Sequence, residues 1–313
     1  MRAKLFIALS AVVAIGWVVP NTGTTHFVAA ATQRESARGA KPLPARLRIN
    51  KDRGLLLTVW VGGSGPYVFA VDTGAGMNLI SQRVVDDSRL TVRTVRTVML
   101  GGLSAATTSS NREAVMSELA FGDRGNIISS TKTAVVVPSL ASGVDGILDP
   151  TDAYSPFAYS IDMTNQRIEA VDTDAEPSRA AGEGATVPWL RFGDSLRPFV
   201  RLGDGRMALV DTGSGFGLAV NQRDAVIVGP RRRNPGMGAT RDIGGGTITL
   251  RRVDPTTISI GELVLRSVPT DILFGIEDDA PVILGRDVLY PFKITFNPKR
   301  RLIEFTTSER KRN

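Results

Sequence analysis

Apolar residues in this chain come in short runs closed by Gly, Pro, Asp or Asn, with little helical spacing. That pattern predicts strands and tight turns through most of the length. "GLLLTVWVGGSGPYVFAVD" (54–72) is two β-rich runs about a Gly-rich turn, a hairpin that ends on Asp72. "RPFVRLGDGRMALVD" (197–211) repeats the arrangement, with Gly203-Asp204-Gly205 at the turn and Asp211 at the end. "TITLRRV", "TTISIG" and "LVLRSVP" are further short runs of the same kind. The best short helix candidates are "RDVLY" (286–290) and "YSPFAYS" (154–160).

The runs form a duplicated series. "FAVDTGAG" (69–76) and "ALVDTGSG" (208–215) are near-copies, and their aspartates lie 139 residues apart. Turn glycines Gly122 and Gly261 share that offset, Gly101-Gly102 and Gly244-Gly245 differ by 143, and Ile147-Leu148 and Ile283-Leu284 by 136. Four landmarks in one order indicate an internal repeat. "VDTD" (171–174) lacks the glycine and the apolar run-in, so it is not a third copy. The expected organisation is a first lobe over 46–175, a small polar linker over 176–186 and a second lobe over 187–309.

The first residues follow a different pattern. Arg2 and Lys4 precede an apolar run from Leu5 to Val19, and Ala29–Ala31 offers a cleavage site. This reads as a secretory signal over 1–31 with a flexible lead over 32–45, placing the protein in the periplasm or outside the cell. An uncleaved anchor, leaving the protein membrane-associated, is the other reading. The run falls short of the about 20 residues that span a bilayer comfortably. Removal of 1–31, which holds two bases and no acid, lowers the formal net charge from +7 to +5. The remaining bases are scattered, which gives no nucleic-acid footprint. "RRR" (231–233) and "ERKR" (309–312) read as a solvated loop and a tail.

Composition narrows the chemistry. The chain has no cysteine, and its one histidine, His26, lies in the export segment. Ser-His-Asp and Cys-His catalysis, His/Cys zinc sites and disulfides are therefore excluded from the mature protein. "GSGFG" (213–217) lacks the lysine and helix of a phosphate loop and reads as a turn. What remains is carboxylate chemistry, with neither metal nor cofactor expected. Two close carboxylates cannot both ionise cheaply; one pKa rises, one falls, and the pair can activate a water. Such a pair needs one aspartate from each half, which accounts for the duplication. In each loop the glycine, Gly74 or Gly213, suits a tight turn and close backbone approach. Thr73 and Thr212 can bond across to the opposite loop and lock the pair. Ala75 and Ser214 differ: Ser214 can donate to the Asp211 carboxylate and Ala75 has no hydroxyl, so Asp72 should hold the shared proton.

From about residue 46 to 306 the chain resembles the aspartic peptidases, through "FAVDTGAGMNLIS", "ALVDTGSGFGLAV" and the apolar-apolar-Gly element "VILGRDVL" (282–289). The resemblance implies an all-β acid protease fold of two similar β-barrel-like lobes, with the active-site cleft between them. It implies catalytic Asp72 and Asp211, an extended polypeptide substrate, and a monomeric endopeptidase. By position Gly101, Gly102 and Leu103 are similar to a flap tip, although this glycine pair and Gly244-Gly245 also fit simple hairpin turns. The first-half element departs from the family, reading "GILDP" with Asp149 in the glycine position. Asp149 there reads as a partly exposed cap beside Pro150. That departure leaves an alternative function open, an inert peptide-binding or scaffold protein of the envelope on the same fold.

Overall fold

The structure is a computed structural model and describes residues 41–104, 106–128, 130–176, 184–192, 195–227, 237–277 and 280–308. The signal segment, most of the lead, "RRR" and "ERKR" lie outside the described residues. Among the described residues no helix is long and apolar enough to cross a membrane.

A six-stranded platform joins the two halves, in the order Gly184–Pro188, Leu302–Thr307, Phe292–Asn297, Ala158–Asp162, Arg167–Val171 and Ala45–Asn50. Its middle pair is antiparallel, with Tyr159 opposite Phe296 and Ile161 opposite Ile294. Each half contributes three strands, so the halves meet about a local two-fold axis. Tyr159 stacks on Phe296 at 4.9 Å between ring centroids and continues to Tyr154 at 5.9 Å; Trp189 meets Phe296 edge-on at 6.1 Å. These buried rings form one core beneath both lobes. Aromatic pairs of this kind contribute about 0.5–1.5 kcal/mol each beyond their burial.

Each lobe rises from the platform as a copy of one sheet. In the first, the antiparallel hairpin Gly54–Val61 and Ser64–Val71 delivers Asp72. The strand Gly146–Leu148 runs parallel beside it, with Leu148 opposite Val71. In the second, Ser195–Arg201 and Met207–Val210 deliver Asp211, and Val282–Leu284 runs parallel with Leu284 opposite Val210. The apolar-apolar landmarks thus take the same register against the two aspartate strands. The last three residues of each strand, 69–71 and 208–210, are buried on both faces, which is why they read as unbroken apolar runs. The turn glycines Gly122 and Gly261 both sit at positive φ, +74° and +58°.

Local expectations were met unevenly. "RDVLY" forms the helix Arg286–Leu289. "YSPFAYS" does not form one: the helix lies just before it, at Pro150–Ala153, and from Ala158 the chain is strand. Pro150 suits the first helical turn, whereas Pro156 has no N–H to continue one. A helix at Gln82–Asp87, which buries Val84 and Val85, was not anticipated. The stretch assigned as linker, 176–186, ends in the platform strand Gly184–Pro188.

Candidate active site

Asp72 and Asp211 end their strands at the same level and are 1% and 0% exposed. Thr73 N–H donates to Thr212 Oγ1 at 3.1 Å, and Thr212 N–H donates to Thr73 Oγ1 at 3.0 Å. Each hydroxyl then donates onward across the lobe boundary, Thr73 to the Val210 carbonyl at 2.6 Å and Thr212 to the Val71 carbonyl at 3.1 Å. All four groups are buried, so each bond is worth keeping on the scale of about 1–3 kcal/mol of avoided desolvation. A side chain at Gly213 would overlap the Asp72 carboxylate, so glycine there lets one loop lie against the other's acid.

The carboxylates are held unequally. Asp72 Oδ1 accepts from Gly74 N–H at 2.8 Å. Asp211 Oδ1 accepts from Gly213 N–H at 2.8 Å and also from Ser214 N–H at 3.1 Å, while Ala75 N–H goes to the Asp72 main-chain carbonyl at 3.3 Å. Burial pushes the Asp72 carboxyl well above the usual range, and the charge and hydrogen bonding of Asp211 push it further. Burial also raises Asp211, but the Asp72 hydrogen bond, the Gly213 and Ser214 N–H groups and the Arg286 charge pull it back. The proton of the pair therefore belongs on Asp72. Asp211 Oδ2 is buried without a hydrogen bond of ordinary geometry, and its neighbouring donor is that Asp72 carboxyl.

The asymmetry expected of Ser214 has another source. Its hydroxyl accepts from Phe216 N–H at 3.3 Å instead of donating to Asp211. The extra donor on Asp211 is the Ser214 backbone, which closes a tight turn.

Three further groups shape the site, and sequence reasoning gave none of them this role. Arg286, 7% exposed, donates from Nη1 to the Thr212 and Gly213 carbonyls at 3.0 and 2.7 Å, and from Nη2 to the Lys51 carbonyl at 3.3 Å. It clamps the second loop to the first lobe. Asp149 caps the helix Pro150–Ala153 by accepting from Thr151 N–H at 2.9 Å, but it is 4% exposed, not partly exposed. Burial pushes its carboxyl up to about 7, against the pull of the Thr151 N–H. Its own N–H donates to Asn78 Oδ1 at 2.9 Å. Arg197 is the third buried group.

The hairpin of Val92–Gly101 and Thr107–Met116 carries Gly101, Gly102 and Leu103 to its tip. The equivalent hairpin of the second lobe, Met237–Arg241 and Thr247–Arg252, meets it. Ser104 N–H donates to Asp242 Oδ2 at 2.8 Å, and Gly102 leaves no room for a side chain against Asp242. Leu103 is buried among Phe216, Ile248, Leu273 and Ile283 of the second lobe. Reciprocally, Ile243 packs against the first-lobe cluster that contains Leu56, Leu100 and Ile147. Two hairpins thus cross, and the counterpart at Gly244-Gly245 was legible in the repeat.

Residues 57–148 match a family model described as aspartyl protease. No curated protein matches the chain. Among solved structures, the crystal structure of aspartic proteinase from Irpex lacteus is similar at a TM-score of 0.54 and 14% identity, over 85% of this chain and 97% of that one. The resemblance to aspartic peptidases drawn from the Asp-Thr-Gly segments is thereby borne out, as is the two-lobed all-β fold. The family match over 57–148 and the likeness in fold to an aspartic proteinase over most of the chain together support a hydrolase of that kind.

Proposed function

We propose that the protein is an aspartic endopeptidase in which Asp72 and Asp211 activate one water against a peptide bond of an extended polypeptide. The observation that carries this is the reciprocal pair of Thr73–Thr212 hydrogen bonds, which holds two buried carboxyls from different lobes as one unit. Asp211, favoured as the ionised member, takes a proton from the water; Asp72, favoured as the acid, hydrogen-bonds the substrate carbonyl. The tetrahedral intermediate collapses when the leaving nitrogen receives a proton from the pair, and the C–N bond breaks. Substrate reaches the dyad by parting the crossed hairpins, with Gly101, Gly102 and Leu103 closing over it.

The chemistry needs no metal or cofactor. The proposal extends to an exported monomer: the Arg2/Lys4 head, apolar run and Ala29–Ala31 are expected to be removed, leaving a chain that begins near Thr32 by N-terminal sequencing.

The test is cleavage of an unfolded protein across the pH range. The rate should be bell-shaped, reporting two macroscopic pKa values of the dyad. Asp72→Asn and Asp211→Asn should each lower it by about 10³-fold or more, with the double variant little worse than either. Substantial activity in either purified single variant would end the shared-water mechanism, whereas a wild type that binds unfolded protein without cleaving it at any pH would favour the inert peptide-binding role.

A further inference from the structure

Arg286 lies under the Asp211 loop, with Gly54 beside Nη1 and Gly215 beside Nη2. The matching position in the first lobe is Pro150, which has no charged arm. The position matching Gly54 is occupied by Arg197. Leu55 pairs with Val71, so the next step places Gly54 against Asp72. Phe199 pairs with Leu209, so the same count places Arg197 against Asp211. Arg197 packs its stem against Gly76, the repeat counterpart of Gly215. Each of the two loops thus has its glycine against an arginine, but the two arginines come from non-equivalent elements, Arg197 from the strand Ser195–Arg201 and Arg286 from the helix Arg286–Leu289.

The site around Arg197 is built. The residue is 7% exposed, its Nε donates to Ser195 Oγ at 2.9 Å, and its guanidinium lies 5.6 Å from the Phe199 ring centroid. Its main-chain carbonyl accepts from the Trp189 indole N–H at 2.9 Å. Nη1 is buried with no partner, where the corresponding Nη1 of Arg286 has two carbonyls. A cation left unmatched at this depth is costly unless its charge is used.

We infer that Arg197 is a positioning residue for the dyad, standing in for the arginine that Pro150 cannot supply and holding the negative charge shared by Asp72 and Asp211. This rests on the dyad being catalytic.

The charged groups around it bear on the sign. Burial disfavours the guanidinium charge, and Asp211, Asp72 and Asp149 restore it in that order. Arg286, with Asp287 near it, faces the dyad from the second lobe. Asp152 and Lys132 face Asp149 from the far side. Below about pH 7 Asp149 is protonated, so two arginines act on a dyad bearing one negative charge. Removing one of them raises both dyad pKa values.

The experiment compares wild type, Arg197→Met and Arg197→Lys by the pH dependence of kcat/KM and by NMR titration of carbon-13-labelled aspartate carboxyls. Arg197→Met should move the acid limb and the lower dyad pKa upward by about one unit and reduce kcat about tenfold with KM little changed. Arg197→Lys should keep the limb within about 0.3 unit, because the charge remains. A folded Arg197→Met with both values unmoved overturns the inference. Should Arg197→Met not fold, Arg197→Gly combined with Pro150→Arg rebuilds the other lobe's arrangement and decides. A wild-type acid limb then supports the inference, and a limb displaced by about a unit overturns it. Activity surviving in Asp72→Asn would instead remove the catalytic dyad, while the NMR titration would still report on Arg197.

Discussion

Residues 72–78, Asp-Thr-Gly-Ala-Gly-Met-Asn, and 211–217, Asp-Thr-Gly-Ser-Gly-Phe-Gly, hang from equivalent strands yet meet different neighbours underneath. In the second lobe Gly285 N–H donates to the Gly217 carbonyl at 3.0 Å. A side chain at Gly217 would strike the Pro269 carbonyl, and one at Gly285 the Phe216 backbone. In the first lobe the contact has moved outward onto a side chain, because Asp149 N–H donates to Asn78 Oδ1. That shift leaves space for a side chain at 149, which is how an acid replaces glycine without breaking the loop. The neighbours then sort the charge. Asp72 has the Asp149 carboxyl nearby, whereas Asp211 has an extra N–H and Arg286. Duplication supplies a symmetric frame; divergence beneath it decides which acid carries the proton.

The frame itself should behave symmetrically. Thr73→Ala and Thr212→Ala each orphan a buried N–H and a buried carbonyl in the opposite lobe. Each should therefore cost about 2–4 kcal/mol in urea unfolding, alongside a large loss of activity. Costs differing by more than about 1 kcal/mol would break the equivalence of the two loops.

Asp149 tests the divergent layer. Its folded pKa, about 7, lies above the unfolded value, so the protonated form is the one that folding favours. Its contribution is fully present below the unfolded pKa near 4 and is lost as pH rises through about 7. Asp149→Asn keeps an acceptor for Thr151 N–H and cannot ionise. It should leave stability at pH 4 within about 1 kcal/mol of wild type and raise it by about 2–4 kcal/mol at pH 8. Parallel stability–pH curves for the two proteins would show that Asp149 is not the group responsible.

The frame was legible and the layer beneath it was not, for a physical reason. Asp72, Asp211, their threonines and the apolar-apolar elements repeat, and a repeat shows in one sequence because two copies are compared. Arg197, Arg286 and Asp149 occupy positions where the copies disagree. Mismatch in a repeat usually means drift, and only the register opposite Asp72 and Asp211 shows that Gly54 and Arg197 answer one another. The helix Pro150–Ala153 was missed because its helical signal is a single turn beside a proline. Ser214 misled more directly. A hydroxyl next to the second Asp-Thr-Gly suggested a side-chain donor, but the loop's tight turn presents the backbone N–H instead.

That last point gives the smallest expected effect. Ser214→Ala removes the acceptor for Phe216 N–H, a long bond at 3.3 Å, and leaves the Ser214 N–H on Asp211 in place. The cost should be about 0.5–1.5 kcal/mol of stability. The dyad keeps its donors, so the acid limb of the pH–rate profile should move by less than about 0.3 unit, far below the shift expected on losing a neighbouring charge. Ala75→Ser in the first loop would place a hydroxyl beside Asp72, whose proton is set mainly by burial and by Asp211, and should also leave the limb nearly still. A rise of about one unit in the acid limb of Ser214→Ala would show that the hydroxyl turns onto Asp211 when substrate binds. The difference between the loops would then reside in the serine itself and no longer in the backbone turn that carries it.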